Sequence, residues 1–323
     1  MRSPGRHFLI TALLVAAMAV PSTAQRPAVP AMAVPSTAQD PAVPAERPVF
    51  RSSVDLVSMA AVVRDSKGRY VRSLARDDFE VIDGGTRRPI IDLRNESAAP
   101  ASIALLVDGS GSMRLGAALA ASRAISKAII GSLNPARDDV ALFAFDTRLL
   151  VIQDFTRDLD QVRSRLDELE AWGSTSLFDS IAGTAGIVSK RTANRRAVIV
   201  LTDGADTTST YSPTEVSAIA SSVDVPVYVF GLSPMPPQEE TVSTERAATL
   251  ADLARWTGGD FLDASNSLAM SRAITRLIEE LRHQYVIAFE ASREGGWRSV
   301  QLRTRKRGLT VRTRAWYLAG AGE

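Results

Sequence analysis

At 323 residues, 45% of them apolar and 23% charged, the chain has room for one large domain or for a domain with a smaller companion. A formal net charge of +2 excludes a global field that would draw it to nucleic acid or a membrane surface. Cysteine is absent and the histidines are His7 and His283, so thiol nucleophiles, zinc–thiolate sites and disulfides are excluded, and any chemistry must use hard oxygen ligands.

The chain opens like a secretory signal peptide. Arg2 and Arg6 precede an apolar run from Phe8 to Val20, and Ser22-Thr23-Ala24 offers small residues for cleavage after Ala24. The run is shorter than the ~20 apolar residues of a spanning helix, so residues 1–24 are expected to direct export, to the periplasm or beyond the cell. Residues 25–48 form a proline- and alanine-rich linker. The stretch AMAVPSTAQRPAVP (17–30), which begins in the expected signal peptide, recurs in the linker as AMAVPSTAQDPAVP (31–44), a duplication in a tract too poor in large apolar residues to fold.

Folded structure is expected from about Val49. Val54–Val63 is rich in β-branched residues and ends at the turn Asp65-Ser66-Lys67-Gly68; Phe79–Ile82 and Pro89–Leu93 are further strands. From Ser102 the pattern changes to continuous apolar strands at 103–107, 140–145, 197–201 and 225–230, with an edge strand at 149–152 and a short one near Phe261. Helices are expected at 115–133, 159–169, 177–189, 213–222, 243–256 and 267–281. This alternation predicts an α/β fold, a doubly wound and mostly parallel sheet covered on both faces. Strands at 284–290, 299–304 and 309–314 follow. They are expected to join those before Ser102 in a small antiparallel β-domain, in or beside which the α/β domain is inserted. The division is thus 49–98, 99–282 and 283–323.

Asp108-Gly109-Ser110-Gly111-Ser112 directly follows the first buried strand, at the sheet edge where open α/β folds bind ligands. Asp203 ends another such strand, and Thr175 lies in the loop before the helix at 177. Alone, Asp-Gly-Ser-Gly is a common helix-cap sequence. Together the three stretches make an all-oxygen set of two carboxylates and three hydroxyls, suited to Mg²⁺, Mn²⁺ or Ca²⁺.

In these residues the chain resembles the von Willebrand factor type A family, whose metal-ion-dependent adhesion site has an Asp-x-Ser-x-Ser motif, then a Thr, then an Asp. The resemblance covers roughly 102–281. It implies a Rossmann-like domain in which Ser110, Ser112 and Thr175 bind the cation directly or through water, while Asp108 and Asp203 often act through water. Mg²⁺ is the expected ion, and the implied partner is a protein offering an Asp or Glu carboxylate. Asp78-Phe79-Glu80-Val81 before the domain and Tyr285-Val286-Ile287 after it are similar to a secreted bacterial subgroup of the family. Ser174 departs from the Gly that many members carry there.

Other residues carry weaker signals. Trp172 could sit on the rim as a partner contact, Asp179 is expected to be structural, and Asp206 is either an outer-sphere group or a solvated loop residue. The arginines and lysine at 303, 305, 306, 307, 312 and 314 read as a solvated, edge-protecting face. No Gly-x-Ser-x-Gly elbow or Gly-x-x-x-x-Gly-Lys loop is present, so an enzyme is not expected. The rival readings are a metal-assisted hydrolase and a module whose ion only stabilises the fold.

Overall fold

A computed structural model describes residues 56–95, 99–114, 117–171, 173–193, 195–232, 240–264 and 266–320, with only the backbone of 240–243. The expected signal peptide and linker, and Trp172, lie outside these residues. Among the described residues no helix is long and apolar enough to cross a membrane.

Six strands form the central sheet: β5 (Ala101–Asp108), β6 (Asp139–Phe145), β7 (Leu149–Thr156), β8 (Arg195–Thr202), β9 (Val227–Gly231) and β10 (Phe261–Asp263). Their order is β10-β9-β8-β5-β6-β7, parallel throughout except for the edge strand β7. Every residue of β5 is buried. Its side chains alternate between two cores, because successive residues of a strand point to opposite faces. Ile103, Leu105 and Val107 pack with α1 (Ala118–Ser132), α2 (Leu159–Asp167) and α6 (Ser267–Arg282). Ala104 and Leu106 pack with α3 (Leu177–Ser189), α4 (Pro213–Ser222) and α5 (Glu240–Trp256). The doubly wound α/β class expected from the apolar runs is the fold observed. Strand order reverses beside β5, with β8 on one side and β6 on the other, and the carboxyl end of such a strand is where open α/β sheets bind ligands.

The remaining strands are β1 (Leu56–Asp65), β2 (Phe79–Asp83), β3 (Thr86–Arg88), β4 (Ile90–Asn95), β11 (Gln284–Glu290), β12 (Gly296–Thr304), β13 (Leu309–Thr313) and β14 (Trp316–Ala319). They make two antiparallel sheets, β13-β1-β11-β4 and β14-β12-β2-β3. Met59, Ala61 and Val63 of one sheet and Phe79, Val81, Val300 and Leu302 of the other share a core. The N- and C-terminal strands therefore form a β-sandwich flanking the α/β domain. The strand expected at 89–93 is β4, and β3, which was not expected, precedes it in the other sheet. Pro89 separates them: lacking an N–H, it interrupts the ladder where the chain crosses from β2 to β11. The strand β14 was not anticipated.

The expectation for the basic tail needs correction at two positions. Arg303, Arg305, Lys306 and Arg307 are exposed, whereas Arg314 is buried and Arg312 largely so. Arg314 donates to the carbonyls of Ser58 in β1 (2.7 Å) and Ser221 in α4 (2.5 Å). Arg312 pairs with the buried Glu280 of α6, donates to the Gly259 carbonyl and lies over the Tyr228 ring. Arg64 of β1 reaches the same Glu280 at 2.6 Å. Guanidinium groups can be buried here because several fixed acceptors surround each planar fork. At this seam Gly259 is obligatory, since a Cβ would overlap the carbonyl of Val227.

Arg314→Ala should destabilise the chain by about 2–4 kcal/mol, because two buried carbonyls lose their donor. Urea denaturation would read the change, and a loss under 0.5 kcal/mol would count against a structural seam.

Candidate metal centre

Asp108 ends β5, level with Thr202 of β8, and both are fully buried. One Asp108 oxygen accepts from the Ser110 N–H (2.9 Å), which closes the tight turn after the strand. The other accepts from the Thr202 hydroxyl (2.6 Å), which itself accepts from the Gly204 N–H (3.0 Å). This relay joins the loop after β5 to the loop carrying Asp203. The Asp203 carboxylate accepts from the Ala205 N–H (3.1 Å) and lies close enough for its charge to act on Asp108.

Burial pushes the Asp108 carboxyl up to about 6; hydrogen bonds from Ser110 and Thr202 oppose the rise, and the charge of Asp203 adds to it. The Ser110 and Ser112 hydroxyls stand 3.0 Å apart, so the alternate residues of the Asp-x-Ser-x-Ser stretch do converge. Their turn is anchored from two sides: Gly109 N–H donates to the Phe145 carbonyl (2.8 Å), and Gly111 N–H to the Gly173 carbonyl (3.0 Å). Gly173 has a φ of +90°, open to glycine, and a Cβ there would crowd Asp146.

The Gly173 contact brings the Thr175 loop against the Ser110–Ser112 turn. Thr175 is buried, and its carbonyl accepts from the N–H groups of Thr207 (2.9 Å) and Thr208 (3.0 Å), while its own N–H donates to the Thr207 hydroxyl (3.0 Å). The loops bearing Asp108, Thr175 and Asp203 are thus hydrogen-bonded together at one rim.

Asp206 is held within the fold by one of its carboxylate oxygens. Its carboxylate caps α3, accepting from Leu177 N–H (2.8 Å) and from the Ser209 hydroxyl (2.6 Å). Asp179 is structural, holding Thr210 and Tyr211 N–H groups from α3. His283 lies at the end of α6, bonded to Glu279 and Arg72. Sequence reasoning passed over Thr202 and Asp146. A signal for Asp146 was present: β5, β6 and β8 are each followed or ended by an aspartate near one edge, at 108, 146 and 203. The Asp146 carbonyl secures the Ser176 N–H (2.6 Å) and hydroxyl (2.9 Å).

Among the described residues no three carboxylate or imidazole side chains gather to hold a metal ion. A cation at this rim would have to draw on hydroxyls as well. Paired serine hydroxyls beside a buried carboxylate and a second nearby carboxylate form a hard-oxygen set, which fits a divalent cation of the Mg²⁺ type.

Residues 103–205 match the family model of the von Willebrand factor type A domain. The match bears out, over this stretch, the resemblance read from the sequence motif. Similar solved structures include a von Willebrand factor type A protein from Catenulispora acidiphila, at 14% identity over 84% of this chain and 76% of that one (TM-score 0.47). The conserved hypothetical protein BatB from Bacteroides thetaiotaomicron is 16% identical over 56% of this chain and 98% of its own (TM-score 0.45). The PilB minor pilin from Streptococcus sanguinis is 13% identical over 57% and 61% (TM-score 0.44), so this chain spans less than two thirds of that pilin. No curated protein sequence matches the chain.

Thr202→Val should raise the Asp108 midpoint above about 6, since the hydroxyl favours the ionised carboxylate. Carboxyl-carbon NMR titration would follow it; an unchanged or lower midpoint would show that the relay does not act on Asp108.

Proposed function

We propose that the chain is an exported, non-catalytic adhesion or assembly module that holds a partner protein through a divalent cation at the rim of β5 and β8. The observation that carries this reading is the buried Asp108 carboxylate at the carboxyl end of β5, bonded to Thr202 and next to the serine hydroxyls and Asp203. The charge of Asp203 opposes ionisation of the buried Asp108, and a divalent cation would offset that repulsion. Ser110, Ser112 and Thr175 would hold Mg²⁺ directly or through water, with Asp108 and Asp203 behind them. The ion would supply a positive charge with an exchangeable position, at which an Asp or Glu of the partner is held. Neutral hydroxyl ligands support this role, because they leave most of the ion's charge available to an incoming carboxylate.

The decisive experiment captures partners from the source organism's envelope with the chain as bait, with and without chelator. Capture should depend on Mg²⁺ and be lost in Asp108→Ala and Asp203→Ala. Capture indifferent to both treatments would defeat the reading.

A pH dependence follows from Asp108. Its carboxyl titrates at about 6 in the folded chain, above its ordinary 3.8. Between those values the folded state binds the proton more tightly than the unfolded one, so the metal-free chain loses stability as pH rises through this window. A cation favours the ionised form. Mg²⁺ should therefore raise the melting temperature clearly at pH 7.5 and little at pH 4.5, and Asp108→Asn should abolish the difference. Equal shifts at both pH values would contradict this account.

A further inference from the structure

The chain has four tryptophans, and Trp256, Trp297 and Trp316 are 37%, 45% and 46% exposed. These three line one groove of about 400 Å³ with Thr214, Ser217 and Ser221, and none of the proposed metal ligands lines it. Trp297 in β12 and Trp316 in β14 sit on the outer face of the sandwich. Ser299 pairs with Trp316, two residues from Trp297, so the indoles are diagonal neighbours on one face. Trp256 ends α5, and its carbonyl accepts from the Ser221 hydroxyl (3.1 Å) and from Ala315 N–H (3.2 Å). With Arg314 bonded to the Ser221 carbonyl, the walls from α4, α5 and β14 are tied together.

Exposed indoles gathered in a concave, rigid site mark a binding surface more than a packing accident. The lining narrows the occupant. Among the described residues it holds no charged side chain, so an acidic or basic peptide or a phosphate would find no counter-charge. It also lacks the carboxylate and amide side chains with which a sugar's hydroxyl groups could be bonded. An extended proline-rich peptide suits it best: proline rings stack on aromatic walls, and a polyproline II segment requires no backbone ladder from its host. The chain itself contains a proline-rich sequence. Residues 27–44 hold the sequence Pro-Ala-Val-Pro at both ends and a single charged residue, Asp40. With Asp40 as its one charge, the segment asks the groove for little counter-charge.

We propose that the tryptophan groove receives the proline-rich segment 27–44 of a second copy of this chain. The assignment is independent of the metal site.

Sedimentation of the full chain over a wide concentration range tests it, with a synthetic peptide of residues 27–44 as probe. The average mass should rise with concentration, and the peptide should return it to the monomer while changing tryptophan fluorescence. Trp297→Ala with Trp316→Ala should weaken self-association about tenfold or more, as expected for aromatic anchors. Pro30→Ser with Pro44→Ser should do the same without touching residues 56–320, and chelator should have no effect. A chain monomeric at every concentration overturns the proposal, as does self-association that survives either variant pair. Fluorescence quenching by cello-oligosaccharides but not by the peptide would make the groove a sugar site and overturn it too.

Discussion

A carboxylate without exposure to solvent is the constraint around which the rim is arranged. Asp108 is fixed by its position at the end of a strand buried on both faces, and its charge is costly there unless something compensates it. The donors at hand come from its own turn and from Thr202 on the neighbouring strand. They only partly offset burial, which leaves the carboxyl titrating near neutrality. The flanking loops are built to the same end. Glycines let the backbones of the Asp108 and Thr175 loops meet, and carbonyl and hydroxyl contacts from Thr207 and Thr208 hold the Thr175 loop in place.

The opposite concern, how a flanking sandwich stays registered on an α/β domain, is met by arginine. Arg64 and Arg312 converge on Glu280, and Arg314 spans from β1 to α4. Loss of Glu280 would strand both guanidinium groups, whereas Glu280 keeps Arg64 if Arg312 is lost. The same seam shapes the tryptophan groove, because Ser221 and Trp256 belong to both.

Much of the α/β architecture was legible in the sequence for a physical reason. A parallel strand covered on both faces must be apolar throughout, and runs such as Ile103–Val107 and Ala197–Leu201 have no other ready explanation. The Asp-x-Ser-x-Ser stretch was legible because its alternate oxygens follow such a strand directly. Thr202 was not, since its importance arises from register: only the pairing of β5 with β8 sets its hydroxyl beside Asp108. Arg312 and Arg314 misled because a basic alternating strand ordinarily faces water, and their acceptors on α6, α4 and β1 are distant in sequence. Pro89 was visible, but its effect of moving the chain from one sheet to another depends on which strand each half pairs with.

The pairing of β1 with β11 and β13 carries a consequence for biogenesis. As the chain emerges from the ribosome, β1 comes early and both its neighbours come late, so its two edges stay open while the intervening domain is being made. Long-range pairing of this kind is slow, and open edges invite pairing with the wrong strand. A holding chaperone that masks β1 until the tail arrives would therefore suppress aggregation far more than one acting on the helices.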